Sequence, residues 1–167
     1  MEQKKENNFA YIDGANLYNG INSLGWKLDY RRFRNWLKYK YFVERAYLFI
    51  GLVAKNSDLY KFLQEIGYTL VFKETVCDGD GKIKGNCDAD LVLNAVRDAY
   101  ENNCDKEIIV SSDGDYACLV KFLSEKQKLK IVLSPNNKCS VLLRRTAPIV
   151  NLDDKKMVLE LKRKNPQ

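Results

Sequence analysis

The stretch that decides the fold is EIIVSSDGDYACL, residues 107–119. Its apolar start, residues 108–110, is stopped by two serines and an acidic turn, after which helical periodicity follows. This pattern predicts a buried strand that ends at the start of a helix. In an open α/β sheet, ligands bind in the crevice outside the carboxyl ends of the strands. Asp113 and Asp115 therefore lie where chemistry is expected.

Both acids of this turn also suit a purely structural role. Aspartate is a preferred N-cap, and an acid in the first turn suits the positive end of the helix dipole. The pattern recurs, however: the apolar run of residues 9–12 ends at Asp13, and the cluster NCDAD (residues 86–90) opens the apolar stretch of residues 91–96. This recurrence of acids at predicted strand ends and helix starts favours a functional site.

Short apolar strands alternate with helices along the chain. Helices are predicted over residues 16–24, 29–40, 59–66, 91–100, 116–125 and 141–145, and strands over residues 9–13, 46–53, 69–72, 108–110, 130–133 and 149–152. Such alternation implies right-handed crossovers and a mostly parallel sheet covered on both faces. We therefore predict the α/β class, as a three-layer α/β/α sandwich. The 167 residues should form a single domain, with a core over residues 9–152 and a basic, partly helical tail over residues 153–167.

The charge of the chain favours a polyanionic partner. Its formal net charge is +6, and basic residues are concentrated in residues 31–40, 144–145 and 155–164. Such clusters can contact the phosphates of a nucleic acid.

Aromatic residues lie among the first basic cluster and could stack on bases. The i, i+3, i+4 spacing of Phe33, Trp36 and Leu37 nevertheless favours the core face of an ordinary helix. We expect the arginines of the same segment, Arg34 among them, to be candidates for phosphate contact.

Several classes of protein are excluded by residue types. The chain has no histidine, so Ser-His and Cys-His catalysis and His-ligated zinc are ruled out. Five cysteines without a C-x-x-C pair predict free thiols in a reducing compartment, with Cys118 and Cys139 as small core residues. No apolar stretch reaches the roughly 18 residues of a membrane span, and residues 1–8 lack the apolar centre of a secretory signal. These features predict a cytoplasmic protein with no membrane partner.

Three segments together resemble the signature segments of the NYN domain, the LabA-like branch of the PIN-like ribonucleases. They are DGANL (residues 13–17), KGNCD (residues 84–88) and SDGDY (residues 112–116). The resemblance runs in order over residues 9–152. It implies a PIN-like α/β sandwich with an acidic cleft, and cleavage of RNA phosphodiester bonds, as by an endoribonuclease, that depends on Mg²⁺ or Mn²⁺.

By position, the resemblance implies a set of four catalytic, metal-binding acids: Asp13, Asp88, Asp113 and Asp115. Asn16 would support the site from the first helix. Several relatives carry a further acid where this chain has Asn94. Asp90 is a candidate to replace that metal ligand, although residues two apart on a helix point about 200° apart.

The implied chemistry is physically consistent. A metal held by carboxylates can activate water and stabilise charge on a phosphate, and hard oxygen ligands suit Mg²⁺ and Mn²⁺. We expect Asp13, Asp88 and Asp113 to bind metal directly and Asp115 to orient water or a second ion. An acidic cleft also needs flanking groups to hold RNA, most simply a single strand. The candidate substrate-binding residues are Asn16, Lys84, Ser112, Arg144 and Arg145. A homodimer remains open.

Two other functions also remain open. One is a non-catalytic RNA-binding or scaffold module of the same fold, for which the missing acid at Asn94 would be the first sign. The other is a phosphatase, because an aspartate at a strand end can accept a phosphoryl group. Ala15 stands where a second acid would be expected two residues after Asp13, which weakens the phosphatase reading.

Overall fold

A computed structural model of the protein describes residues 6–73, 76–77, 83–84 and 87–162. Its strands are β1 (Asn8–Asp13), β2 (Val43–Gly51), β3 (Tyr68–Lys73), β4 (Val76–Cys77), β5 (Ile83–Lys84), β6 (Glu107–Val110), β7 (Leu129–Ser134) and β8 (Ile149–Asn151). Its helices are α1 (Gly14–Asn22), α2 (Tyr30–Tyr41), α3 (Ser57–Glu65), α4 (Cys87–Glu101), α5 (Ala117–Glu125), α6 (Val141–Thr146) and α7 (Lys156–Leu159). Short 3₁₀ turns occupy Ala54–Asn56, Gly114–Tyr116 and Asp153–Lys155.

The main sheet has the strand order β3-β2-β1-β6-β7-β8, and every neighbouring pair in it is parallel. The chain builds outward from β1 to β3 and then returns through α4 to place β6 beside β1. The direction of strand order therefore reverses between β1 and β6, which is where open α/β sheets bind ligands. The predicted three-layer sandwich with a central parallel sheet is confirmed.

Two apolar cores flank the sheet, and the alternation of β1 shows how they are divided. Phe9 and Tyr11 join the core covered by α4, α5 and α6, whereas Ala10 and Ile12 join the core covered by α1, α2, α3 and α7. All four side chains are buried. Because successive strand residues face opposite sides, one short apolar strand serves both layers.

Within the predicted core, two element boundaries differ from the sequence prediction by three residues or more. Strand β2 begins at Val43 rather than at residue 46. Helix α4 begins at Cys87, four residues before the predicted start, so Asp88 and Asp90 both lie in its first turn. Residues 78–85 are rich in glycine and charge, a composition that predicts a loop, and only residues 83–84 of this segment belong to the described part of the chain.

Helix α2 confirms its predicted core face and corrects the role of one arginine. Phe33 and Leu37 are fully buried, and Trp36 packs against the same core. Arg34 is buried as well, and its guanidinium donates to the carbonyls of Gly67, Val43 and Glu44 at 2.8, 3.1 and 2.9 Å, respectively. Because these bonds tie α2 to the edge of the sheet, Arg34 is a structural residue and not a phosphate contact.

The tail packs against the domain through Leu159, a residue that lies outside the apolar face expected from helical periodicity. In a helix over residues 154–164, the i, i+1, i+4 spacing of Met157, Val158 and Leu161 predicts an apolar face, but all three side chains are exposed. Leu159 is the fully buried residue of α7, and Glu160 forms a β-bridge with Leu28. Helix α7 ends after one turn, which is why a periodicity read over residues 154–164 fails.

One of the two cysteines expected in the core is exposed. Cys139 is buried as predicted, whereas Cys118 lies on the outer side of α5. The prediction for Cys118 was wrong because the burial of a cysteine in a helix depends on the face of the helix on which it lies.

Gly14 allows α1 to begin directly against β2. A methyl group at this position would lie 2.4 Å from Ile50 Cγ2 and 2.8 Å from the Phe49 carbonyl oxygen. The backbone oxygen cannot move without disturbing the central sheet, so the close approach requires glycine.

We expect Gly14→Ala to destabilise the protein by about 1–3 kcal/mol, the usual effect of overpacking a closely packed site. Urea unfolding followed by far-ultraviolet circular dichroism would measure the change. Gly51→Ala is the matched control, since a Cβ at Gly51 meets nothing within 4 Å. Equal stability of the two variants would contradict the prediction.

Candidate active site

The candidate site lies where β1 and β6 end side by side. Asp13 is the last residue of β1, and its Oδ1 caps α1 by accepting a hydrogen bond from the Asn16 N–H at 3.0 Å. The residue is only 8% exposed. Capping uses Oδ1, while Oδ2 contacts the Tyr116 hydroxyl at 3.2 Å. Asp13 therefore holds the helix with one oxygen and faces the site with the other.

Asp113 has the same capping role three residues after the end of β6. It caps the 3₁₀ turn Gly114–Tyr116, with its Oδ1 accepting from the Asp115 N–H at 3.1 Å. The Asp113 N–H in turn donates to Ser111 Oγ at 3.1 Å. These local bonds set the direction of the Asp113 carboxylate. The capping role that the sequence suggests for Asp113 therefore also positions this acid at the site.

Asn16 joins the two strand ends. Its Oδ1 accepts hydrogen bonds from the Ser112 N–H at 2.9 Å and from the Ser112 hydroxyl at 3.0 Å. Its own N–H is bound to Asp13. A single asparagine thus fixes the loop after β6 relative to Asp13, in keeping with the supporting role that the resemblance implies. The Ser112 hydroxyl, a predicted RNA contact, is used in this bond.

Tyr116 brings the third predicted acid to the site. Its buried hydroxyl lies 2.6 Å from Asp88 Oδ1 and 3.2 Å from Asp13 Oδ2. A phenol has one proton and donates to one carboxylate at a time, and the shorter contact makes Asp88 the stronger acceptor. Burial, followed by the hydrogen bond to Asp88, raises the pKa of Tyr116, so the hydroxyl stays protonated. One acid from β1 and one from α4 therefore converge on a hydroxyl oxygen that belongs to the turn after β6.

The convergence of acids is visible in the electrostatics of Asp13. Burial raises the pKa of the Asp13 carboxyl, and the negative charges of Asp88 and Asp113 raise it further. Hydrogen bonds from the Asn16 N–H and the Tyr116 hydroxyl act in the opposite direction. Like charges that crowd a buried carboxylate create a place where a cation is favourable.

Asp90 and Asp115 are placed differently from these three acids. Both are exposed. Asp90 lies two residues after Asp88 within α4, so its side chain points about 200° away around the helix axis. Asp115 lies in the turn capped by Asp113 and binds that cap only through its backbone N–H. A direct ligand role for either residue stays a prediction.

Three basic residues are predicted to hold RNA beside the acids, and the structure describes the side chains of two of them. Arg144 and Arg145 are exposed in the last turn of α6, a helix that packs against the Gly114–Tyr116 turn. Lys84 belongs to β5, but its side chain lies outside the described residues. The two arginines therefore remain candidates to hold a polyanion beside the acids.

The donor set fits a hard divalent cation in kind. Asp13, Asp88 and Asp113 offer carboxylate oxygens only, which suit Mg²⁺ and Mn²⁺. Within residues 6–73, 76–77, 83–84 and 87–162, no three acidic or thiol side chains are gathered tightly enough to form a complete metal site. Magnesium does not require such a cage, because it is usually held by one or two carboxylates together with water and substrate phosphates. The residues present are therefore compatible with this ion.

Sequence reasoning missed the role of Tyr116. The residue follows an acidic turn and reads as the first apolar position of a helix, and its ring is indeed fully buried in the core. Only its hydroxyl takes part in the site. A tyrosine in place of phenylalanine at a predicted core position was the available signal, because a buried phenol normally requires a polar partner.

Known proteins resemble this chain over nearly its whole length. A family model of the NYN domain matches residues 10–151. Among solved structures, a protein of unknown function from Vibrio parahaemolyticus has the same fold, with a TM-score of 0.76, 24% identity and coverage of 96% of this chain and 100% of that chain. No curated protein gives a significant match. In the described part of the chain, no helix has the length and apolar character needed to cross a membrane. NYN domains are generally nucleases of the PIN-like superfamily, and with 142 consecutive residues matched, this chain belongs to the NYN domain family.

Proposed function

We propose that this protein is a metal-dependent endoribonuclease that hydrolyses phosphodiester bonds of single-stranded RNA. The observation that carries the proposal is the convergence of Asp13 and Asp88 on the Tyr116 hydroxyl, with Asp113 close enough to raise the pKa of Asp13. Asp13 and Asp113 follow β1 and β6, the two strands between which the strand order reverses, where ligands of such folds bind. Family membership supports a nuclease, and the three sequence motifs support the LabA-like branch.

In this proposal Asp13, Asp88 and Asp113 would hold Mg²⁺ or Mn²⁺. When bound, the ion supplies activation of water and neutralisation of charge on the phosphate. The protein contributes the positions of its acids, fixed by the Asn16 and Tyr116 hydrogen bonds. Tyr116 keeps its proton and donates to Asp88, which limits repulsion between the carboxylates. Asp115, the exposed acid of the turn, orients the attacking water.

The basic residues hold the strand across the acidic site. Arg144 and Arg145 lie on the helix that packs against the Asp113 turn, and Lys84 precedes α4 by three residues. Their charges attract the RNA backbone and offset the repulsion between phosphate and carboxylate. Removal of Arg144 or Arg145 should accordingly weaken RNA binding more at low salt than at high salt.

We expect Asp113→Asn to reduce cleavage of a labelled single-stranded RNA by at least about 10²-fold in Mg²⁺ or Mn²⁺, because a ligand charge is lost while the cap is kept. Gel analysis of product formation, with an EDTA control, measures the effect. Asp154→Asn, a change at an exposed acid in the tail, should cleave like the unmodified protein. Full metal-dependent cleavage by Asp113→Asn would overturn the assignment of Asp113.

A non-catalytic RNA-binding module of the same fold is the second candidate, and the environment of Asn94 favours it. The Asn94 amide donates to the Asp90 carbonyl at 2.8 Å and accepts from Arg97 Nη2 at 2.9 Å. The position at which, by the resemblance, several relatives carry another acid is therefore occupied by an amide bound to its own helix. If the protein binds RNA in the presence of Mg²⁺ or Mn²⁺ but forms no cleavage product over a long incubation, the result would favour the RNA-binding module over the ribonuclease.

A further inference from the structure

A groove beside Asp13 has no role in the site described above. It is formed by α1, the end of β2 and α3, and has a volume of about 550 Å³. We name it the Tyr18 groove; its lining includes Gly14, Ala15, Tyr18, Tyr30, Ile50 and Leu59. The volume falls in the range typical of small-molecule sites. Gly14 and Ala15, which line one end of the groove, directly follow Asp13 at the carboxyl end of β1.

Tyrosines form the most distinctive part of its wall. Tyr18 is 60% exposed. Tyr30 is largely buried, and burial followed by the proximity of Tyr18 raises its pKa to about 12. The Tyr60 hydroxyl accepts from the Val53 N–H at 2.9 Å and donates to the Gly51 carbonyl at 3.0 Å, so this ring is a fixed part of the wall. Tyr18 is therefore the ring that an incoming planar group can reach.

Three basic residues lie on the elements around the groove. A smaller adjoining cavity of about 160 Å³ shares Tyr18 and Tyr30 and is also lined by Lys27. Arg31 lies over the Phe62 ring at 5.5 Å from its centre, and Lys55 is exposed in the turn next to the groove. Among the described residues that line the groove, none is acidic or basic, and the exposed Asp58 precedes the lining residue Leu59. An uncharged, planar group fits this lining, and the cations nearby can contact a phosphate attached to it.

We infer that the Tyr18 groove binds an unpaired nucleobase of the RNA strand whose phosphate lies at Asp13, and that the base stacks on Tyr18. The inference rests on the proposed function. Each base of a single strand is attached next to a phosphate, and the groove begins at the two residues that follow Asp13. Stacking on an aromatic ring is tolerant of base identity, so the groove favours single-stranded RNA over paired RNA without specifying a sequence.

The test measures binding in an Asp13→Asn background, where we expect no cleavage, in the presence of Mg²⁺. Fluorescence anisotropy would compare a labelled eight-nucleotide RNA with an abasic strand of the same length. Adding Tyr18→Ala should weaken RNA binding by roughly 5- to 100-fold, whereas Tyr18→Phe should bind normally. The abasic strand should bind weakly and should not respond to Tyr18→Ala. Tyr100→Ala is the control, because Tyr100 is 80% exposed near the end of α4, away from the carboxyl edge of the sheet.

The outcomes separate this inference from the proposed function. Unchanged RNA affinity in Tyr18→Ala overturns the nucleobase site, even where the Asp13-containing protein cleaves the same RNA. Equal binding of RNA and the abasic strand also overturns it and leaves the groove to a protein partner. Absence of both RNA binding and cleavage overturns the inference and the proposed function together. Unfolding curves for each variant establish that lost binding is not lost folding.

Discussion

Asp13→Asn is expected to abolish RNA cleavage while leaving the fold at least as stable as before. Asparagine caps helices as well as aspartate does, so the bond from the Asn16 N–H to the side-chain oxygen is kept. The substitution also replaces the buried Asp13 carboxyl group with an uncharged amide. Burial and the neighbouring Asp88 and Asp113 raise the pKa of this carboxyl, which shows that its charge is unfavourable there. A loss of at least about 10³-fold in rate is expected, as for removal of one member of a catalytic unit.

Asp29→Asn provides a matched control for this experiment. Asp29 caps α2 as Asp13 caps α1, with its Oδ1 accepting from the Arg32 N–H at 3.0 Å. It also forms an ion pair with Arg32 at 3.4 Å. Asp29→Asn should therefore lose a little stability and keep full cleavage, the reverse of the Asp13 result.

Thermal unfolding and single-turnover cleavage of the two variants, measured side by side, test the prediction. If Asp13→Asn lowers stability and retains cleavage, then Asp13 is a helix cap and no more. If both variants lose cleavage to the same extent, helix geometry and not the Asp13 charge controls the reaction. Either result contradicts the proposed role.

The sheet and two of its acids could be predicted because local rules determine them. A short apolar run stopped by an aspartate marks a strand end, and parallel strands bring such ends to one edge. Asp13 and Asp113 are therefore predictable from their own neighbours. Asp88 was identified through a motif, but its approach to Asp13 depends on the packing of α4 across the sheet, which no local pattern specifies.

Other parts of the structure depend on long-range contacts that sequence periodicity does not contain. Arg34 lies in a helix with many charges, and nothing local distinguishes it from exposed arginines. Its three carbonyl partners come from β2 and from the loop before β3. The hydrogen-bond partners of the Tyr116 hydroxyl, Asp88 and Asp13, are likewise distant in the sequence. Polar groups with partners distant in sequence are the part of this fold that requires the structure.

A second buried polar cluster, at the opposite end of β1 and β6, determines how stability should depend on pH. Glu107 begins β6 and is fully buried. Within the described part of the chain, its Oε2 has no hydrogen-bond partner, and its Oε1 lies 3.8 Å from Cys104 Sγ. Asp98 is also buried there and accepts from the Tyr11 hydroxyl at 2.7 Å. Burial, then the charge of Asp98, raises the pKa of Glu107 from 4.5 to about 8, while the Cys104 thiol and Lys128 act in the opposite direction.

The free energy of unfolding should therefore fall as pH rises from about 5 to 8. In this window the folded protein keeps a proton on Glu107 that the unfolded chain, with a pKa near 4.5, has released. The stability linked to that proton is complete below pH 4.5 and is lost as pH passes 8. The decline is at most about 1.4 kcal/mol per pH unit. Glu107→Gln, which resembles the protonated acid, should remove this component and be several kcal/mol more stable than the unmodified protein at pH 9.

Urea unfolding at intervals between pH 5 and pH 9 would measure the free energies of unfolding of Glu107→Gln and the unmodified protein. The titration of other groups cancels in the difference between the two values. Glu125→Gln is the control, since Glu125 is exposed and forms a surface ion pair with Lys121 at 3.9 Å. Such pairs contribute at most about 1 kcal/mol, so this variant should follow the unmodified protein at every pH. Parallel curves for Glu107→Gln and the unmodified protein would mean that Glu107 is already ionised in the fold. Because Glu107 lies at the amino edge of the sheet and Asp13 at the carboxyl edge, Glu107→Gln should stabilise the protein at alkaline pH without changing cleavage.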